Sequence, residues 1–158
     1  MSWFGLQVAK KFGKRLPSFA GQEEAEEELC KQRDQRLEHL TQLAKLSGVF
    51  TPDYTPNSLK NLEKWYFNLW ESDGFKLVGI SREDFECCMA SYFCAVAVRS
   101  CPDAKWEVRA YGFERGKYEI GVQRGSSHLM LSRFTDHCKQ AGNKRQQKLY
   151  EMYQEWFP

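Results

Sequence analysis

The sequence predicts a helix-rich α+β domain carrying a small antiparallel sheet, and three observations support that class. Apolar residues recur at three- and four-residue steps through Leu59–Trp70 and Phe85–Val96, which is the helical period. After Pro102 the period falls to two: Trp106, Val108 and Ala110 alternate with Glu107 and Arg109, and Tyr118, Ile120 and Val122 alternate with Glu119 and Gln123. The chain has 158 residues, 42% of them hydrophobic and 15% aromatic, enough to build one core without disulfides or metals. A second complete domain would hardly fit. Residues 1–21 form a basic amphipathic segment, and residues 22–158 form a single α+β domain.

In chain order, Phe4, Val8, Phe12 and Leu16 stand at four-residue steps among Lys10, Lys11, Lys14 and Arg15, a short basic amphipathic helix ended by Pro17 and Gly21. Residues 22–47 contain neither Gly nor Pro. Their first half, rich in Glu23 to Glu28, reads as solvated, and Leu37, Leu40, Leu43, Ala44 and Leu46 supply the apolar stripe. Gly48 suits the C-terminal cap, and Pro52 and Pro56 mark a loop. Thr55 before Pro56 predicts the next helix start. Ser81 with Asp84 resembles a capping box for the most apolar helix, which should be central because Phe85, Met89, Tyr92, Phe93 and Val96 cover more than one side.

The two alternating runs predict a hairpin over about 104–123, packed on the amphipathic helices because an isolated hairpin is marginal in water. Residues 128–131 fit strand and helix equally. Asn143 can cap a C-terminal helix bearing Leu149, Met152, Tyr153, Trp156 and Phe157.

Charge and chemistry narrow the function classes. A net charge of +2 argues against a broad polycationic nucleic-acid surface. The basic stretch through Arg124, Arg133, Lys139, Lys144, Arg145 and Lys148 has only Phe134 within it to stack on bases, so it reads as a solvated face and nucleic acid is not the expected partner. No apolar run is long enough to span a membrane. The basic N-terminal helix leaves room for weak contact with a membrane surface. The six cysteines, with Cys87 and Cys88 adjacent and no signal peptide ahead of them, read as reduced buried thiols, which places the protein in the cytoplasm.

Neither C-x-x-C nor H-x-x-x-H spacing occurs. Cys87, Cys94 and Cys101 lie about 10 Å apart in steps along a helix, too far for one ion, so no metal is expected. The glycines form no phosphate loop or dinucleotide fingerprint, so no cofactor and no catalytic residue is assigned.

Leu62-Glu63-Lys64-Trp65-Tyr66-Phe67, then Met89 through Val96, then Ala104-Lys105-Trp106-Glu107-Val108 resemble, in their order, small bacterial α+β families of unknown function, several of them similar to immunity proteins of toxin systems. This sequence has Cys94 where that pattern has glycine. The resemblance implies a non-enzymatic binding protein with a protein partner, a toxin in the immunity case. The outer face of the hairpin, Glu107, Arg109, Glu119 and Gln123, is the surface expected to be free for that partner. Two other readings stay open: a small cysteine-dependent or acid-base hydrolase with a dispersed site, and a peripheral membrane or nucleic-acid adaptor using the basic segments.

Overall fold

The computed structural model describes residues 2–134 and 147–158. Along the chain run α1 (Trp3–Gly13), α2 (Gln22–Ser47), α3 (Ser58–Glu71), the one-turn α4 (Phe75–Val78), α5 (Arg82–Ser100), β1 (Ala104–Ala110), β2 (Tyr118–Arg124), β3 (Ser127–Met130) and α6 (Lys148–Trp156). Residues 131–134 are also helical. The α+β class and the small antiparallel sheet follow the two periodicities.

Helix α5 is the central element. Ser81 caps it by accepting the Asp84 amide at 3.1 Å, and its residues from Phe85 to Ala97 are buried except Cys87. It packs against α2, α3, α6 and the strands β1 and β2, the arrangement a helix apolar on more than one side requires. Two aromatic groups grip it. Near its start Phe85 meets Trp65 at 5.0 Å and Phe75 at 5.7 Å; further on, Phe93 meets Phe134, Tyr153 and Phe157 at 5.1, 6.1 and 6.3 Å. Such pairs add to what burial alone contributes.

The sheet runs β1-β2-β3, antiparallel throughout, with Trp106 opposite Val122 and Val108 opposite Ile120. Residues 127–130 resolve to a strand, joined to β2 by the two-residue turn Gly125-Ser126, where Gly125 has φ of +59°. Ala104, Ile120, Val122 and Leu129 carry the inner face into the core. At Gly121 the backbone of β3 comes so close that a Cβ would run into the Leu129 carbonyl.

Several local expectations shift. The first half of α2 is not wholly solvated, because Ala25 and Leu29 are buried in the core. Thr55 Oγ does accept the Ser58 amide, at 3.3 Å, but α3 begins only at Ser58. The four-residue stripe of the N-terminus divides: Leu16 is buried and Phe12 half-buried, whereas Phe4 is 73% and Val8 52% exposed. Within α1 each four-residue step advances about 40° beyond a full turn, so Phe4, Val8 and Phe12 wind from solvent toward the domain, and Leu16 is buried beyond the end of the helix. The expected Asn143 cap lies outside the described residues. Instead, the buried Glu63 on α3 accepts the Lys148 amide at 3.0 Å and so serves the N-terminus of α6.

Candidate functional site

The hairpin's outer face does not gather its polar residues into one site. The register places Arg109 opposite Glu119, Glu107 opposite Gly121 and Lys105 opposite Gln123. Glu107 Oε2 lies 2.6 Å from His128 Nδ1, Gln123 Nε2 donates to the Gly125 carbonyl of its own turn at 3.2 Å, and Arg109 is exposed. Glu119 departs from the expectation of a free outer-face residue. It is 7% exposed and accepts a hydrogen bond from Ser132 Oγ at 2.8 Å. The cause is topological: β3 pairs only with residues 121–124 of β2, so beside Glu119 the next strand has ended and the chain turns into the helical residues 131–134.

Glu119 instead helps line a cleft of about 290 Å³. Phe12, Arg15, Leu16 and Pro17 form one wall, Leu29, Gln32 and Arg36 of α2 a second, and Cys87 and Ala90 of α5 a third; Tyr118, Glu119, Ile120, Leu131 and Ser132 complete it. Leu29, Gln32 and Arg36 stand at i, i+3 and i+7, and Cys87 and Ala90 at i and i+3, so each helix offers one face.

The first wall is fastened to the hairpin. Tyr111 Oη donates to the Ala9 carbonyl at 2.9 Å, Lys117 Nζ to the Leu16 carbonyl at 2.7 Å, and the Phe19 amide to the Gly116 carbonyl at 3.0 Å. Phe12 also packs on Tyr111, with ring centroids 5.6 Å apart. Gly13 sits where a Cβ would meet the Tyr111 ring at 2.7 Å, which keeps α1 close to the hairpin.

The electrostatics of the cleft centre on Arg36. It is half-buried and, among the described residues, no carboxylate forms an ion pair with it. Arg15 stands over the Phe12 ring at 5.9 Å and is likewise without an acid partner among the described residues. Against these two guanidinium groups the described residues of the cleft offer one carboxylate, Glu119, already bonded to Ser132. Among the described residues the site is an apolar hollow with an excess of positive charge.

Cys87 was expected to be buried with its neighbours, but it is half-buried in the cleft wall. The thiols of Cys88 and Cys94 are buried, and burial raises both, that of Cys88 to about 12, so neither is a ready nucleophile at neutral pH. His128 is engaged with Glu107, and His137 and Cys138 lie outside the described residues. Among the described residues no group of three His, Cys, Asp or Glu side chains could hold a metal ion, and no helix is long and apolar enough to cross a membrane. Of the basic stretch, Arg124 pairs with Asp103 at 3.0 Å and Lys148 with Glu151 at 3.3 Å, while Lys139, Lys144 and Arg145 lie outside the described residues.

Residues 18–157 match the protein family described as uncharacterised protein YwmA. The chain belongs to the YwmA family. A YwmA protein of Bacillus subtilis (strain 168), itself described as uncharacterized, is 28% identical over 119 residues, 75% of each chain. No solved structure matches. The YwmA match takes in α2, α5, the sheet and α6, and therefore most of the cleft. Phe12, Arg15, Leu16 and Pro17 precede the matched residues.

The sequence offered part of this site. Arg15 stood out as one of a basic run, but the spacing of Leu29, Gln32 and Arg36 becomes meaningful only once α5 and β2 lie opposite them.

Proposed function

We propose that the protein is a non-enzymatic cytoplasmic binding protein whose cleft takes a small amphipathic anion, an apolar body carrying a carboxylate or similar head. The observation that supports this reading is Arg36, a half-buried guanidinium on the wall of an apolar hollow with no ion-pair partner among the described residues. Removing charge from water without a counter-charge is costly, and a bound anion offsets that cost. The cavity lies at the lower end of the usual size of small-molecule sites, which suits a short ligand.

Octanoate and octanol differ only in the head group and so separate charge recognition from apolar filling. Octanoate should raise the melting temperature by roughly 5–10 °C at a hundredfold excess over its Kd. Octanol should do much less, and Arg36→Gln should abolish the difference. Equal binding of the two, or octanoate binding undiminished in Arg36→Gln, would remove the reading.

A second reading keeps a protein partner on the outer face of the hairpin, a toxin in the immunity case. Exposed Arg109 beside the Glu107–His128 pair favours it, together with the resemblance to immunity proteins. Co-purification with a toxin encoded beside this protein, lost in Arg109→Glu, tests it.

A further inference from the structure

Helix α1 has two unlike sides. Phe12 and Gly13 face the hairpin, while Trp3, Phe4 and Val8 are 76%, 73% and 52% exposed. Lys10, Lys11 and Lys14 are exposed too, and none of the three forms an ion pair among the described residues. No acid occurs in residues 1–21. An exposed tryptophan and phenylalanine are costly in water, and three unpaired lysines beside them give the same helix a positive field.

We infer that this face of α1 docks on a bilayer surface with anionic headgroups, the helix lying in the interface plane with Trp3, Phe4 and Val8 entering the acyl boundary and Lys10, Lys11 and Lys14 meeting the headgroups. An interfacial helix needs this combination of apolar insertion and basic charge, and Trp and Phe suit the boundary region. The eleven-residue length gives reversible attachment, not permanent anchoring.

The other basic-seeking surface in sight is the acidic run Glu23 to Glu28 of α2 on a second copy of the chain. It matches the lysines but leaves Trp3, Phe4 and Val8 uncovered, because none of the large exposed hydrophobic residues lies between Gln22 and Lys45. The bilayer answers both halves of the surface.

Co-sedimentation of the full chain with vesicles decides the matter, using phosphatidylglycerol mixed with phosphatidylcholine against phosphatidylcholine alone. The protein should bind the mixed vesicles, bind the neutral ones far less, and lose binding as salt rises. Replacing Lys10, Lys11 and Lys14 with Gln should lower partitioning roughly a hundredfold. The double variant Trp3→Ala and Phe4→Ala should weaken it on the same vesicles while the circular dichroism spectrum stays unchanged, since these side chains are exposed.

Failure to bind mixed vesicles at low salt, or binding that ignores both variants, overturns the inference. So does concentration-dependent self-association without lipid that both variants abolish, which would assign the face to a second copy. Octanoate binding by the cleft is read on Arg36→Gln and is independent of these outcomes.

Discussion

Glu63 offers a test of which effect governs a buried charge at a helix end. Its carboxylate, 5% exposed, lies at the N-terminus of α6 and accepts the Lys148 amide at 3.0 Å. Two effects oppose each other there. Hydrogen bonds from the Lys148 and Leu149 amides favour the charged form, whereas desolvation disfavours it, and desolvation is the larger, so the pKa of Glu63 is raised above the ordinary glutamate value. A folded state with the higher pKa binds the proton more readily than the unfolded chain. The contribution of this group is therefore fully present below the unfolded pKa and is lost as pH rises through the folded one.

Glu63→Gln keeps a carbonyl acceptor for α6 and removes the charge, so at pH 7 it should leave stability unchanged or slightly higher, and it should remove this group's loss of stability between acid and neutral pH. Glu63→Ala removes the acceptor as well. It orphans amides at the start of α6 and opens a small void, and should cost about 2–3 kcal/mol. Urea denaturation at pH 4 and pH 7, compared at constant m-value, measures all three proteins. A loss in Glu63→Gln equal to that in Glu63→Ala would show that the negative charge itself holds the helix, through its dipole, and that desolvation had been ranked too high.

Phe93→Ala should cost about 3–5 kcal/mol, since the ring is fully buried and touches three other rings; a thermal melt shifted by less than the equivalent of 1 kcal/mol would contradict the central place of α5. Arg109→Ala, on an exposed side chain, should change stability by only about 0.5 kcal/mol, whereas Glu119→Ala should cost about 1–2 kcal/mol by removing the part-buried hydrogen bond from Ser132 Oγ, and denaturation midpoints rank the two. Gly121→Ala should destabilise the β2–β3 pairing because the Leu129 carbonyl occupies the place of the new methyl, read as faster amide exchange at Met130; unchanged exchange would show that β3 can move aside. Thiol titration at pH 8 should leave Cys88 and Cys94 unreacted until denaturant is added, and prompt labelling of either would contradict their burial.

What could be read from the sequence is what local periodicity and turn chemistry encode. The faces of α3 and α5, the Ser81 cap, the Gly48 terminus at φ of +66° and the alternation of β1 and β2 all rest on residues within a few positions of one another. The four-residue stripe of α1 misled because equal spacing does not keep residues on one side of a helix, and only the docking at Tyr111 shows which members turn inward. Glu119 misled for a related reason. Alternation cannot say that β3 stops short of Glu119 or that Ser132 comes back to meet it. The cleft draws its walls from five separated stretches of chain, and that Arg36 has no acid partner among the described residues is a property of their assembly.

The clasp between the N-terminal segment and the hairpin also fixes an order of events during synthesis. Ala9 and Leu16 wait for Tyr111 and Lys117, partners 102 and 101 residues further along. At bacterial and eukaryotic translation speeds of about 5–20 residues per second, that gap lasts roughly 5–20 s. Throughout it α1 has no part of the hairpin to lie on, and Phe12 and Leu16 are presented to the surroundings along with Trp3, Phe4 and Val8. The nascent chain thus displays a longer apolar edge than the finished protein does, and closing of the hairpin withdraws Phe12 and Leu16 from it.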